Sequence, residues 1–313
     1  MPSSTSSFRG ELKILAMIVG VLAVCEIAVR LFAVRFSGDL RQTYALPATA
    51  DRLAAAKGRR VLVVGNSLTV YGFDAKAFGE AYAARTGGDA HVEVEAFRGS
   101  ETCEWYYLFR RFFAAPGKVP QLLILPLNVE SVRDLPRVEI GRLVYFCDGS
   151  DVPDVLRRDL HGFGDRAEFL HAYTFASFAN REKVRKTAFD MIIPRHQAGE
   201  RKIHVARLAA RRAGKRPAFT YDRLIRLIRL AAEHNVTVLG VAMPSQSGYE
   251  LDPVLLKTLA AEKASFVDLR DAPGLTRAHF RDPVHLNEQG AALVTQTLVE
   301  RLPESVVAAS STD

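Results

Sequence analysis

Arg60-Val-Leu-Val-Val-Gly65-Asn66-Ser67-Leu68 is the stretch on which the fold turns. A continuous apolar run closed by glycine is the pattern of a strand buried on both faces, as strands of parallel sheets are. Ser67 then falls immediately beyond the strand's carboxyl end, the edge at which open α/β sheets bind ligands.

Working outward, the same alternation recurs. A helix is predicted over Ala75–Arg85, a strand over His91–Phe97, an aromatic-rich helix over Glu104–Ala114 and a strand over Leu122–Leu127. Downstream, Leu224, Ile225, Leu227, Ile228 and Ala231 share a helical face within Asp222–His234, and Val236–Ala242 reads as another buried strand. A helix over Pro253–Lys263, a strand over Ser265–Leu269 and a last helix over Asn287–Arg301, capped by Asn287, complete the series. Strands alternating with helices imply an α/β fold with a parallel sheet covered on both faces. The rhythm fails between Gly141 and Pro217, which reads as a mainly helical insertion.

Upstream, Ile14–Val34 supplies about the twenty apolar residues that a bilayer-spanning helix needs. Glu26 and Arg30 interrupt it one helical turn apart, where they can pair. The apolar stretch continues past any convincing cleavage site, so a retained signal anchor is expected rather than a cleaved peptide. Arg9 and Lys13 before the span against Arg35 and Arg41 after it leave charge indecisive for orientation. The short leading tail favours an extracytoplasmic domain. The expected organisation is a cytoplasmic tail over 1–12, an anchor over 13–35, a linker over 36–58, a catalytic domain over 59–303 with its basic insertion at about 141–217, and a tail over 304–313.

With 313 residues, 48% of them hydrophobic and 25% charged, a sizeable core is available, and disordered, collagenous and disulfide-miniprotein classes are excluded. The net charge of +7 comes without zinc-finger spacing, an RNP-type motif or a basic zipper, so nucleic acid is not an expected partner. Cys25, Cys103 and Cys147 form no CxxC pair or metal-ligand cluster, and neither cofactor nor metal is expected. Cys103 and Cys147 either pair outside the cytoplasm or are isolated buried thiols.

A serine at a sheet edge becomes nucleophilic only if a histidine takes its proton and a third group orients that histidine. Arg281-Asp282-Pro283-Val284-His285-Leu286-Asn287 supplies both on one turn leading into the last helix. The spacing lets the Asp282 carboxylate face Nδ1 of His285 while Nε2 faces Ser67. Each residue also has an ordinary structural reading: Ser67 as a helix cap, His285 as a helix-start histidine, Asp282 as a loop aspartate. Asp74 reads as an N-cap, and Asp268 is the competing orienter.

Taken together, the blocks make the chain resemble the SGNH, or GDSL-like, serine hydrolase superfamily. Gly65-Asn66-Ser67-Leu68 is similar to its nucleophile block, with asparagine in place of the usual aspartate. Phe97-Arg98-Gly99-Ser100 resembles the glycine block, Leu125-Pro126-Leu127-Asn128 the asparagine block, and Asp282-Pro283-Val284-His285 the DxxH block. The resemblance implies a flavodoxin-like three-layer sandwich with a sheet of about five strands. It implies Ser67, Asp282 and His285 as catalytic residues, and an oxyanion hole from the N–H groups of Ser67 and Gly99 and the amide of Asn128. It implies esterase chemistry, often deacetylation, on a carbohydrate or cell-envelope substrate at a bacterial-type plasma membrane, with the domain periplasmic. Two other readings stand beside it. One is an O-acyltransferase working with a multi-pass acyl-donor partner, and the other a catalytically silent scaffold.

Arg195 to Arg216 carries eight Lys/Arg residues against Glu200, either a solvated face or a site for anionic lipid or acidic glycan. Trp105, Tyr106, Tyr107 and Phe109 beside the glycine block either pack in the core or stack on sugar rings.

Overall fold

In the computed structural model, residues 5–128, 132–134, 138–193 and 220–308 are described. They form two compact units. One comprises Met1–Tyr44, Ile140–Tyr145 and Leu160–Pro217; the other comprises Ala45–Glu139, Phe146–Asp159 and Ala218–Asp313.

The larger unit is built on five parallel strands, β1 (Arg59–Gly65), β2 (Ala90–Ala96), β3 (Leu122–Leu127), β4 (Thr237–Ala242) and β5 (Ser265–Asp268), in the order β2-β1-β3-β4-β5. This is the order of flavodoxin-like doubly wound sheets, and the chain reverses direction across the sheet between β1 and β3. Alternate residues of a strand face opposite ways. Val61, Val63, Leu122, Ile124, Leu239 and Val241 accordingly enter one core, with Phe78 and Tyr82 of the helix Ala75–Thr86 and Val294 and Leu298 of the helix Glu288–Glu300. The intervening Leu62, Val64, Leu123 and Leu125 are also buried. On that side the helix Thr102–Leu108 meets the helix Asp222–Glu233, which packs on β4. The result is a sheet between two helical layers, as the alternation predicts.

Most expected elements lie within one to three residues of their predicted bounds, with three differences. The region expected as a linker is a helix over Gly38–Ala55 that carries Pro47. It buries Leu46, Ala50 and Leu53 at helical spacing, and Arg52 grips Glu93 of β2 through two hydrogen bonds of 2.9 and 3.0 Å. The expected tail contains a short helix, Glu304–Ala308, because Val306 is fully buried in the core. The aromatic helix ends at Leu108 and continues as a wider π-helical turn over Phe109–Phe113.

The smaller unit contains the long helix Thr5–Phe36, within which Gly10–Phe32 is long and apolar enough to cross a membrane, with a mean hydropathy of 2.4. Arg30 pairs with Glu26 at 2.7 Å, as their spacing suggests. The pair has a second task. Glu26 accepts the N–H groups of Ala176 and Ser177, each at 2.8 Å, at the start of the helix Ala176–Ala179, and Arg30 donates to the carbonyl of Thr174. The described part of the insertion is helical, including Phe163–Thr174 and Arg181–Ile192. The basic segment from Arg195 to Arg216 lies outside the described residues.

Candidate active site

The nucleophile block is shaped by a turn that only glycine permits. A Cβ on Gly65 would lie 1.8 Å from Oγ1 of Thr69, so the chain can fold back into the short helix Ser67–Gly72 only without a side chain there. Asn66 caps that helix, its side-chain oxygen accepting the N–H of Leu68 at 3.0 Å. The asparagine in place of aspartate thus caps the turn without a charge.

Strand order places the other blocks around Ser67. Gly99 follows β2 and Asn128 follows β3, and these strands flank β1 on either side. Gly99 has φ of 71°, the left-handed conformation that glycine adopts without strain. Its turn is closed by the Ser100 N–H bonding to the Phe97 carbonyl. The turn is tied to the nucleophile strand at one point: the Gly65 carbonyl accepts both the Phe97 N–H and the Ser100 hydroxyl, each at 3.0 Å. The Ser100 oxygen in turn accepts the indole N–H of Trp105 at 2.8 Å. This buried Trp105–Ser100–Gly65 relay holds the Gly99 loop against the strand that ends at Ser67, and nothing in the sequence blocks announced it.

Asp282 and His285 arrive on a hairpin. The Arg281 N–H bonds to the His285 carbonyl at 2.9 Å, Phe280 bridges Leu286, and the Ser245 hydroxyl and Gln246 N–H after β4 both reach the Pro283 carbonyl. Leu286 is buried, which pins the hairpin to the core. The first turn of the following helix packs so closely that a Cβ on Gly290 would lie 2.3 Å from the His279 carbonyl.

The structure brings three of the expected residues into line. Nε2 of His285 lies 3.0 Å from Oγ of Ser67, and Nδ1 lies 2.9 Å from the Asp282 carboxylate. Burial raises the Asp282 pKa, but the Val284 N–H, the His285 side chain and the His285 N–H outweigh it and hold the carboxyl below its ordinary range. Asp282 is therefore an anion wherever His285 is asked to act. Such a chain can carry a proton from a serine hydroxyl to imidazole while the carboxylate fixes the tautomer.

The competing acids are otherwise engaged. Asp268 is clamped by its neighbour Arg270 at 2.7 and 3.0 Å, and Asp74 caps its helix by accepting the Lys76 and Ala77 N–H groups. Of the aromatic block, Trp105, Tyr107 and Phe109 are buried at 1% exposure or less, so stacking on a sugar is excluded for them. Tyr106 lies beneath the Arg226 guanidinium. Cys103 and Cys147 are both buried and unpaired. Burial pushes both thiols up, so neither is poised as a nucleophile. Among the described residues, no group of three or more His, Cys, Asp or Glu side chains is arranged to hold a metal ion.

No known family profile matches this chain, and no curated protein matches it in sequence. Solved structures with a similar fold include Axe2, an acetylxylan esterase from Geobacillus stearothermophilus, at 11% identity and a TM-score of 0.40, covering 79% of this chain and 95% of that one. A GDSL-like lipase from Bacteroides thetaiotaomicron is similar at 10% identity and a TM-score of 0.36, covering 83% and 98%. TesA is similar at 13% identity and a TM-score of 0.36, covering 76% and 94%. Likenesses this distant assign no residue and no substrate, and the functional reading rests on the chain's own geometry.

Proposed function

We propose that this chain is a membrane-anchored serine esterase of the SGNH type, which removes acyl groups, acetyl among them, from carbohydrate or other cell-envelope esters. The observation that carries the proposal is the contact of 3.0 Å between Ser67 and His285, with Asp282 at 2.9 Å behind it. His285 Nε2 takes the hydroxyl proton as Ser67 Oγ bonds to the ester carbonyl carbon. The oxyanion that forms is received by the N–H groups of Ser67 and Gly99 and the Asn128 amide, donors worth a few kcal/mol each in such sites. The carbon–oxygen bond to the sugar then breaks, and His285 returns its proton to the departing alkoxide. Water enters and attacks the acyl carbon as His285 takes its proton, and the acid leaves as the acyl–Oγ bond breaks and His285 returns that proton to Ser67 Oγ.

The anchor is the span Gly10–Phe32. Its only charges between Lys13 and the end of the span are Glu26 and Arg30, which neutralise each other and are bonded to Thr174, Ala176 and Ser177. That arrangement lowers the cost of placing them in lipid. In this reading the catalytic unit lies in the periplasm.

A fluorophosphonate probe should label the full-length chain and fail to label Ser67→Ala. Incubation with an activated acetyl ester should then release acetate. Formation of a sugar ester when a glycan is added would make the acceptor a hydroxyl and the protein an acyltransferase, and absence of labelling in folded protein would leave only a scaffold.

A further inference from the structure

Three side chains that the proposed chemistry does not use meet beside His285. Tyr71, one helical turn after Ser67, packs edge-on against the imidazole, with ring centroids 5.0 Å apart. The Arg281 guanidinium carbon lies 4.3 Å from the Tyr71 ring centroid and that of Arg98 lies 5.1 Å from it. Each arginine adjoins a residue of the site: Arg98 precedes Gly99, and Arg281 precedes Asp282. Both arginines are exposed. Among the described residues, no carboxylate comes within the ion-pair distance of 4.0 Å of either. Several other arginines of the same unit contrast with them: Arg52 is held by Glu93, Arg270 by Asp268, and Arg223 and Arg226 by Asp159.

A single cation over an aromatic ring is a common stabilising contact. Two cations on one ring are different. Their charges lie within a Debye length of each other, about 10 Å at 0.1 M salt, and repel. An anion between or beside them removes that repulsion and gains charge-assisted hydrogen bonds, for which the guanidinium fork suits carboxylate and phosphate equally. We infer that Arg98 and Arg281, presented by Tyr71, form a subsite for a negatively charged group on the substrate, so that the preferred ester is carried by an acidic carbohydrate, a uronate or a phosphate-bearing sugar. The inference rests on the esterase reading and specifies its substrate class. The negative group sits on the same sugar as the ester whose carbonyl reaches Ser67.

The test uses the full-length chain in nonionic detergent and compares kcat/KM on the O-acetylated methyl glycosides of glucuronate, glucose and a hexose phosphate, with p-nitrophenyl acetate as a charge-independent ester. The expected result is a preference of about tenfold for one or both charged glycosides over the neutral one, the size of one or two charge-assisted hydrogen bonds. The charged arm that is preferred identifies the anion. In 1 M salt, where the Debye length falls to about 3 Å, the preference should shrink toward unity. In the double variant Arg98→Gln/Arg281→Gln, the charged-to-neutral ratio should fall by the same factor. Taking the ratio cancels any shared disturbance of Gly99 or Asp282. Ser67-dependent turnover with no charge preference, or with a preference that survives both salt and the double variant, overturns the inference and leaves the esterase reading intact. No Ser67-dependent turnover of any ester, p-nitrophenyl acetate included, overturns both.

Discussion

Replacing Ser100 by alanine cuts the relay between the glycine loop and the nucleophile strand at its centre. Ser100 is 1% exposed, donates to the Gly65 carbonyl and accepts from Trp105, which is itself 1% exposed. Losing the bond to Gly65 removes about 1 kcal/mol, and Gly65 keeps its other donor, the Phe97 N–H. The larger effect falls on the indole N–H, left buried without an acceptor at a cost of about 1–3 kcal/mol. The void of one hydroxyl is too small to admit a replacement water. Ser100→Ala should therefore destabilise the larger unit by about 2–4 kcal/mol. Trp105 is the one tryptophan in the chain, so urea unfolding followed by its fluorescence reports on that unit alone. The midpoint should fall with an unchanged m-value. Because the Gly99 N–H is placed by the same loop, kcat on an activated ester should drop at least tenfold, as displacements of under 1 Å do in such sites. A variant within 0.5 kcal/mol of wild type, or one that is destabilised yet retains full kcat at a temperature where it is folded, would refute the positioning role.

Other expectations follow from particular contacts. Asp282→Asn should lower kcat by three to four orders of magnitude with little change in stability, since it removes the charge and tautomer control behind His285 while the exposed turn survives; kinetics and circular dichroism on the same sample check this. Gly290→Ala drives a Cβ against the His279 carbonyl, so it should cost about 1–3 kcal/mol and also reduce kcat by displacing the hairpin, read by unfolding and turnover. Asp159→Ala strands Arg223, Arg226 and the Tyr107 hydroxyl, which converge on one fully buried carboxylate, and should destabilise by about 3–5 kcal/mol in urea unfolding. Stability should also fall at both ends of the pH scale. Bonds from Arg270 hold Asp268 below the ordinary 3.8, so its contribution is present above that value and lost as pH falls through the lower folded one. Burial and the Asp252 carboxylate push Tyr221 from 10.0 up to about 12, so its contribution is present below pH 10 and lost as pH rises toward 12. Thermal unfolding across pH that stays flat at both ends would contradict these assignments.

The sheet could be read from sequence because strands buried on both faces leave continuous apolar runs such as Leu122–Leu127. The meeting of Ser67, Asp282 and His285 could be anticipated because each lies at the end of such an element, and chemistry dictates which side chains a nucleophile needs. The helix Gly38–Ala55 was obscured by its polar composition and Pro47. Its signal was present in Leu46, Ala50 and Leu53, three positions on one helical face. Trp105 and Tyr107 were ambiguous because an aromatic beside a motif has the same composition whether it lines a cleft or fills a core. The Trp105–Ser100–Gly65 relay and the Asp159 cluster were illegible for another reason. Their partners are up to 67 residues apart, and no local pattern records a contact made by tertiary packing.

The nucleophile itself is the point on which all of this turns. Rapid quenching of the full-length chain with p-nitrophenyl acetate, followed by peptide mass mapping, should find an acetyl group on Ser67, with the adduct absent from Ser67→Ala. Turnover without any adduct on Ser67, or an adduct on another residue that persists in Ser67→Ala, would contradict it.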